Sequence, residues 1–498
     1  MNVNPITRLD YPDPDVIRVE DTYYMVSTTM HFMPGCEILQ SFDLVHWEHV
    51  TYVYEMLDHT DAQQLKSGQN IYGQGMWAAS LRYHEGRFYI CFVANDTRKT
   101  YLYTSEKIDG PWKKQLIEGF YHDGSLLFDE DGRNYIVYGN DEIWITELNE
   151  DLTAPKKDGL HRLLVSDHKN PELGYEGSHI QKINGYYYIF LIHSRRDRWM
   201  RTEACFYSDS LEGEFTGGDV LCDDRGYCGQ GVAQGGIVDT PDGKWYAMLF
   251  QDSGAVGRIP ILLPVTWKDH FPFFGQNGHV PEEIEVHSTR PGYIYQPLVG
   301  SDDFCNGLLP RWQFNHDPDP RYYHLDALQG TYTITTREVC TELTQAVNTL
   351  TQRMSYPSCA AEVTVDASAL KEGDVAGLCA LQSCYAAVGI TKHHGKYEVL
   401  MLDKKEDGIL DMTGGTVVES HQMDFRLEAD FCNMKDEARC YYRVNKGDWL
   451  PIGTVHKLYF KLDHFTGCRF GLFCYAAEET GGSACFRDFK YYDVDEIS

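Results

Sequence analysis

Ser178-His179-Ile180-Gln181-Lys182-Ile183-Asn184-Gly185-Tyr186-Tyr187-Tyr188-Ile189-Phe190 reads as one complete β-hairpin. A short alternating strand meets Asn-Gly, a pair that tolerates the positive φ angles of a tight turn, and an aromatic-rich strand follows. Working outward, the same unit recurs. Val16-Ile17-Arg18-Val19 turns at Glu20-Asp21-Thr22 into Tyr23-Tyr24-Met25-Val26-Ser27. Ser80-Leu81-Arg82-Tyr83 turns at His84-Glu85-Gly86 into Arg87-Phe88-Tyr89-Ile90-Cys91-Phe92. Ser125-Leu126-Leu127-Phe128 turns at Asp129-Glu130-Asp131-Gly132 into Asn134-Tyr135-Ile136-Val137-Tyr138, and Gly235-Gly236-Ile237-Val238 turns at Pro241-Asp242-Gly243 into Trp245-Tyr246-Ala247-Met248-Leu249-Phe250.

Five units spaced about 45–65 residues apart suit the blades of a propeller. A sandwich would place its turns every 8–12 residues. The spacing therefore predicts an all-β chain opening with a five-bladed β-propeller. The first strand of each blade lines the central channel, so residues just before those strands converge at one end of the axis. They are Asp13, Trp77, Asp123, Glu176 and Gln234. Three carboxylic acids and an indole in equivalent places predict a shared acidic site. A single acid there would be unremarkable, since turns favour acids.

The hairpin repeat stops near Gly300. Longer alternating strands follow, among them Tyr332-Thr333-Ile334-Thr335, Ala361-Glu362-Val363-Thr364-Val365, Tyr397-Glu398-Val399-Leu400-Met401 and Phe470-Gly471-Leu472-Phe473-Cys474. They predict a β-sandwich over 300–498, of jelly-roll or concanavalin-like type, behind a propeller over 1–299. No catalytic cluster stands out in it. Gln313-Phe314-Asn315-His316-Asp317-Pro318-Asp319-Pro320 reads as a polar surface loop.

The bulk numbers narrow the partners. The 498 residues carry a formal charge of −30, a field that repels phosphate backbones and anionic membranes but not a neutral saccharide. Neither a nucleic acid nor a membrane is an expected partner. The 34 Tyr, 23 Phe and 9 Trp suit sugar rings as well as strand packing. No stretch approaches the roughly 18–20 apolar residues of a membrane span. The opening MNVNPITRLDYPDPD has no signal-like n-region, and the 15 Cys show no C-x-x-C pairing. The expected location is a reducing cytoplasm.

Three acids on one axis suit glycoside hydrolysis with inversion. One protonated carboxyl serves the leaving oxygen and one carboxylate activates water, the two about 6.5–9.5 Å apart. A third carboxylate near the acid holds it protonated by like-charge repulsion. A cation site that stabilises the propeller, or a carbohydrate-binding propeller without turnover, would use the same residues.

At these positions the sequence resembles glycoside hydrolase family 43, specifically its long β-xylosidase and α-L-arabinofuranosidase members, over nearly the whole chain. Tyr11-Pro12-Asp13-Pro14 resembles the motif of the general base, His122-Asp123-Gly124-Ser125 that of the acid that modulates pKa and orients substrate, and Tyr175-Glu176-Gly177-Ser178-His179 that of the general acid. The resemblance thus implies Asp13 as base, Asp123 as modulator and Glu176 as acid. Met76-Trp77-Ala78 resembles the family's Trp-Ala step, which implies that Trp77 stacks on a sugar. Phe32-Met33-Pro34-Gly35 resembles the segment supplying an aromatic wall, which implies Phe32. Gly257-Arg258 resembles the segment whose arginine fork holds sugar hydroxyls, and Phe465-Thr466-Gly467 a sandwich loop that reaches the active site.

Gln234 departs from the family, many of whose members have His at that central place. An amide is a poorer ligand, which weakens the case for a structural Ca²⁺; no cofactor or metal is expected to be required. Gly124 and Ser178 stand where Pro is common, which alters backbone stiffness more than chemistry. A loop closing one side of the pocket favours release of single terminal sugars. The expectation is an inverting exo-β-D-xylosidase acting on a small oligosaccharide, with α-L-arabinofuranosidase or dual activity as the alternative. A homo-oligomer is compatible with the sequence.

Overall fold

The structure, a computed structural model, describes residues 2–493. Apart from four short 3-10 turns, the regular structure of those residues is all strand. Five antiparallel sheets form the blades of a propeller. Blade 1 comprises Asp15–Val19, Thr22–Val26, Gly35–Ser41 and Glu48–Tyr54, and blade 2 comprises Met76–His84, Arg87–Ala94, Lys99–Ser105 and Lys113–Ile117. Blade 3 begins at Ser125–Phe128 and blade 4 at Glu176–Ile183. Blade 5 has an interrupted inner edge, Val232–Ala233 then Ile237–Asp239, paired to Trp245–Asp252. The turns are what their residues dictate. Asn184 and Gly185 both take positive φ, 50° and 86°, between the paired Ile183 and Tyr186.

The inner strands are laced to one another around the axis. Asp15 Oδ2 accepts from the Leu81 backbone N–H at 2.7 Å and from Arg82 at 2.8 Å. Ser80 Oγ accepts from Leu126 N, and Ser125 Oγ accepts from Ile180 N at 3.0 Å. Gln181 Nε2 donates to the Ile237 carbonyl of blade 5. Asp15 is fully buried, which alone would raise its carboxyl pKa, but Arg82 and His179 beside it hold it below the usual range. Each blade is thereby fixed to its neighbour at the strand whose first residues face the site.

The second domain is a sandwich of an eight-stranded and a seven-stranded sheet, with one apolar core between them. The four strands expected there lie within Thr331–Thr335, Ser358–Asp366, Lys396–Lys404 and Arg469–Ala476. The eight-stranded sheet does not stop at the domain boundary. Its eighth strand, at the edge, is Phe32–Met33 of the propeller, which pairs with Gln313–Asn315 of the sandwich. The segment read as a polar surface loop is therefore interior: Gln313, Asn315, His316 and Asp317 are all buried. Their polar atoms are taken up across the junction, where Gln313 donates to the Pro34 carbonyl, His316 accepts from Ile71 N, and Asp317 bonds His59. Composition alone read these residues as exposed because their partners lie in the other domain.

Arg353 of the sandwich ties this junction to the start of the chain. Its guanidinium reaches Glu37 at 2.9 Å and the Asp10 carbonyl at 2.9 Å, and lies 4.1 Å above the Tyr11 ring. Burial would raise the Glu37 pKa, yet the Arg353 and His49 charges lower it to about 2. A buried charge with a fixed partner is costly to strand, so this pair pins the segment that carries Asp13.

Candidate active site

A cavity of about 750 Å³ opens at the end of the axis where the blades begin. Asp13, Trp77, Asp123, Glu176, Gln234, Arg258 and Phe465 all line it. The backbone aims them. Asp13, Asp123 and Gln234 take φ of 54°, 47° and 61°, left-handed values uncommon for residues with a side chain. The same kink at equivalent points of three blades turns each side chain towards the axis instead of into its own sheet.

Asp13 is buried and held from two sides. Thr28 Oγ1 donates to its Oδ2 at 2.5 Å, and Arg258 donates to its Oδ1 at 3.1 Å. Arg258 is itself positioned through its backbone N–H, which donates to Asp10 Oδ1 at 2.7 Å, while Asp10 Oδ2 accepts from Gly467 N at 2.8 Å. Gly257 and Gly467 permit this approach, since a Cβ on the first would sit 2.3 Å from Asp10 Oδ1 and on the second 2.1 Å from the Val256 carbonyl. The Phe465 ring lies 4.4 Å from the Arg258 guanidinium and 5.4 Å from Trp77. Trp77 Nε1 and Arg258 Nε are buried and have no hydrogen-bond partner among the described residues.

Asp123 and Glu176 meet around His122. Asp123 Oδ2 accepts from Gly177 N at 3.0 Å and lies 3.5 Å from His122 Nε2, which is also 3.4 Å from Glu176 Oε2. Asn140 Nδ2 donates to the same Glu176 oxygen at 2.7 Å. Burial pushes the Asp123 carboxyl up; His122 opposes, the negative charges of Glu176 and Asp13 reinforce, and the result is about 6. Burial works against a charged His122, but Asp123, Glu176 and Asp13 outweigh it and raise its pKa to about 9. Ligand atoms of His122, Asp123 and Glu176 lie within 4.8 Å of one another, close enough for a metal ion. A metal there would need the neutral imidazole, whereas the neighbouring carboxylates favour its charged form.

Phe32 is not part of the cavity. It is fully buried in the strand shared with the sandwich, with the Arg469 guanidinium 3.5 Å over its ring. Backbone pairing to Asn315 holds it in that sheet and away from the axis, which corrects the aromatic wall expected of it. Four apolar side chains from the sandwich, Met434, Phe460, Leu462 and Phe465, close one side of the cavity instead. His122, Asn140 and the Arg201–Asp252 pair (2.7 Å) also went unread in the sequence. His122 stood inside a quoted motif; Asn140 and Arg201 carry no signal of their own.

Residues 3–272 match the family model described as glycosyl hydrolases family 43, and residues 301–492 match that of the beta xylosidase C-terminal concanavalin A-like domain. A bifunctional GH43-CE structure from Bacteroides eggerthii is 42% identical and superposes with a TM-score of 0.92 over 99% of this chain, which spans 64% of that one. A GH43 glycoside hydrolase, engineered to display both endo-xylanase and exo-arabinofuranosidase activity, is 28% identical, with a TM-score of 0.87 over 99% of each chain. A beta-xylosidase of Formosa agariphila is 26% identical over 99% of this chain and 89% of its own.

Proposed function

This chain belongs to glycosyl hydrolases family 43, and from that premise we propose that it is an inverting exo-β-D-xylosidase releasing terminal xylose from short xylo-oligosaccharides. The observation that carries the reading is the cavity itself. It gathers Asp13, Asp123 and Glu176, and the sandwich side chains Phe460, Leu462 and Phe465 close one side of it. A closed side suits a chain end better than the middle of a polymer. The similarity to the Formosa agariphila beta-xylosidase supports the choice of sugar.

Asp13 takes a proton from water as the water oxygen bonds to the anomeric carbon. Thr28 and Arg258 hold its carboxylate in one orientation for this. Glu176 gives its proton to the departing oxygen, which keeps the electron pair of the broken C–O bond. Asp123 keeps negative charge near the acid and accepts from the backbone beside it. No metal takes part in any of these steps. The engineered relative's exo-arabinofuranosidase activity favours a second reading, α-L-arabinofuranosidase, because both pentoses present similar hydroxyls to such a pocket.

A panel of nitrophenyl glycosides separates the two sugars: β-D-xylopyranoside should turn over faster than α-L-arabinofuranoside. NMR of the first-formed sugar should show the anomer opposite to the substrate. Binding without any turnover, or the same anomer first, would overturn the reading.

A further inference from the structure

The reading of Glu176 as general acid, on which this inference rests, leaves open which of its two oxygens carries the proton. The surroundings of the carboxyl are asymmetric. Oε2 accepts from Asn140 Nδ2 at 2.7 Å and lies 3.4 Å from His122 Nε2. Among the described residues no hydrogen bond from the protein reaches Oε1. We propose that His122 and Asn140 are positioning residues that hold Oε2 of Glu176 as an acceptor, so that the transferable proton sits on Oε1 and faces the substrate.

The argument is one of donors and acceptors. A carboxylic acid has one O–H, and a proton on Oε2 would point at two N–H groups already directed there. On Oε1 it meets none. When the proton passes to the glycosidic oxygen, negative charge is left on the carboxylate, and the same two donors receive it. Hydrogen bonds to an ionised acceptor are roughly twice as strong as neutral ones, so His122 and Asn140 bind the product state of the acid more tightly than its starting state. The charge balance agrees with this. Asp123 and Asp13 face the pair with negative charge, and both favour the protonated form of His122. Of the other cations lining the cavity, Arg258 pairs with Asp13, Arg201 pairs with Asp252 while also sensing the Glu176 charge, and Arg98 lies over the Phe120 ring. His122 is the cation in direct contact with Glu176, at 3.4 Å, and it works on the acid in the sense opposite to Asp123.

The test is the pH dependence of kcat/KM on xylobiose for the full chain, alongside an activated aryl xyloside. Removing a cation beside a carboxyl favours the protonated form, so His122→Asn should move the basic limb upward by about one pH unit. Asn140→Ala should move it upward by less. Asp123→Asn should move it downward. Both donor variants should lose about tenfold or more on xylobiose and much less on the aryl substrate, since general acid assistance is worth roughly 10²–10⁴-fold and matters least for a good leaving group. A His122→Asn enzyme with an unshifted or lowered limb and unchanged Tm overturns the inference, and the exposed Asn140 supplies the same test where His122→Asn fails to fold. Glu176→Ala separates the two levels. If it shows no preference for the aryl substrate, the acid assignment itself is wrong and the inference goes with it; if it does and the donor variants do not, only the inference fails.

Discussion

Acid should loosen the junction between the two domains, through three imidazoles. His31 of the propeller stands 4.9 Å from His316 and 5.0 Å from His464 of the sandwich, ring centre to ring centre, with Tyr72 packed against all three. All three histidines are buried, and no nitrogen of His31 or His464 has a hydrogen-bond partner among the described residues. Burial pushes the pKa of each down, His464 to about 3, with buried Arg469 adding to the effect at His31 and His464. In the unfolded chain each returns to about 6.5. A base whose folded pKa is depressed contributes stability that is complete above its unfolded pKa and is lost as pH falls below it. At pH 5.5 each neutral imidazole forfeits about 1.4 kcal/mol, so the cluster forfeits about 4 kcal/mol relative to pH 7.5. The measurement is urea unfolding at those two pH values, for the wild type and for His31→Leu/His464→Leu. The variant retains one of the three sites, and its pH-dependent loss should be smaller by about 2.8 kcal/mol, contributions from other groups cancelling in the difference. Equal losses in the two proteins would refute the reasoning. Because His464 adjoins Phe465, the wild type should also lose activity on acidification before it loses strand content by circular dichroism.

Asp15→Ala would strand the charge of Arg82 inside the propeller axis and take a hydrogen-bond partner from His179, and should cost about 3–5 kcal/mol, read as a lowered Tm. Gly467→Ala has no room against the Val256 carbonyl, so it should displace the loop bearing Phe465; KM for xylobiose should rise about tenfold or more, since a displaced wall of about 1.4 kcal/mol is tenfold in binding. Prolonged treatment with a chelator should leave most of the activity, and a complete loss restored by Ca²⁺ would show a metal on the axis.

The blades could be read from sequence because each is a local object. Asn184-Gly185 declares its own turn, and the aromatic strand after it needs no distant partner to be recognised. The three acids could be read for the same reason one level up, since equivalent places in successive hairpins must converge once the blades close. What failed were residues whose surroundings come from the other domain. Phe32 and Gln313–Asn315 look like an aromatic wall and a polar loop until the two strands pair, and pairing converts both to interior. The serines that open the second and third hairpins, Ser80 and Ser125, were visible as a repeat, but their work as acceptors for the next blade's backbone was not. His122 marks the boundary most sharply. Its letter sits beside Asp123 in a motif, yet its charge is set by that neighbour together with Asp13 and Glu176 from two other blades. A residue's identity is local, whereas its protonation is a property of the closed ring, so the histidine could be named from the sequence and its role only from the fold.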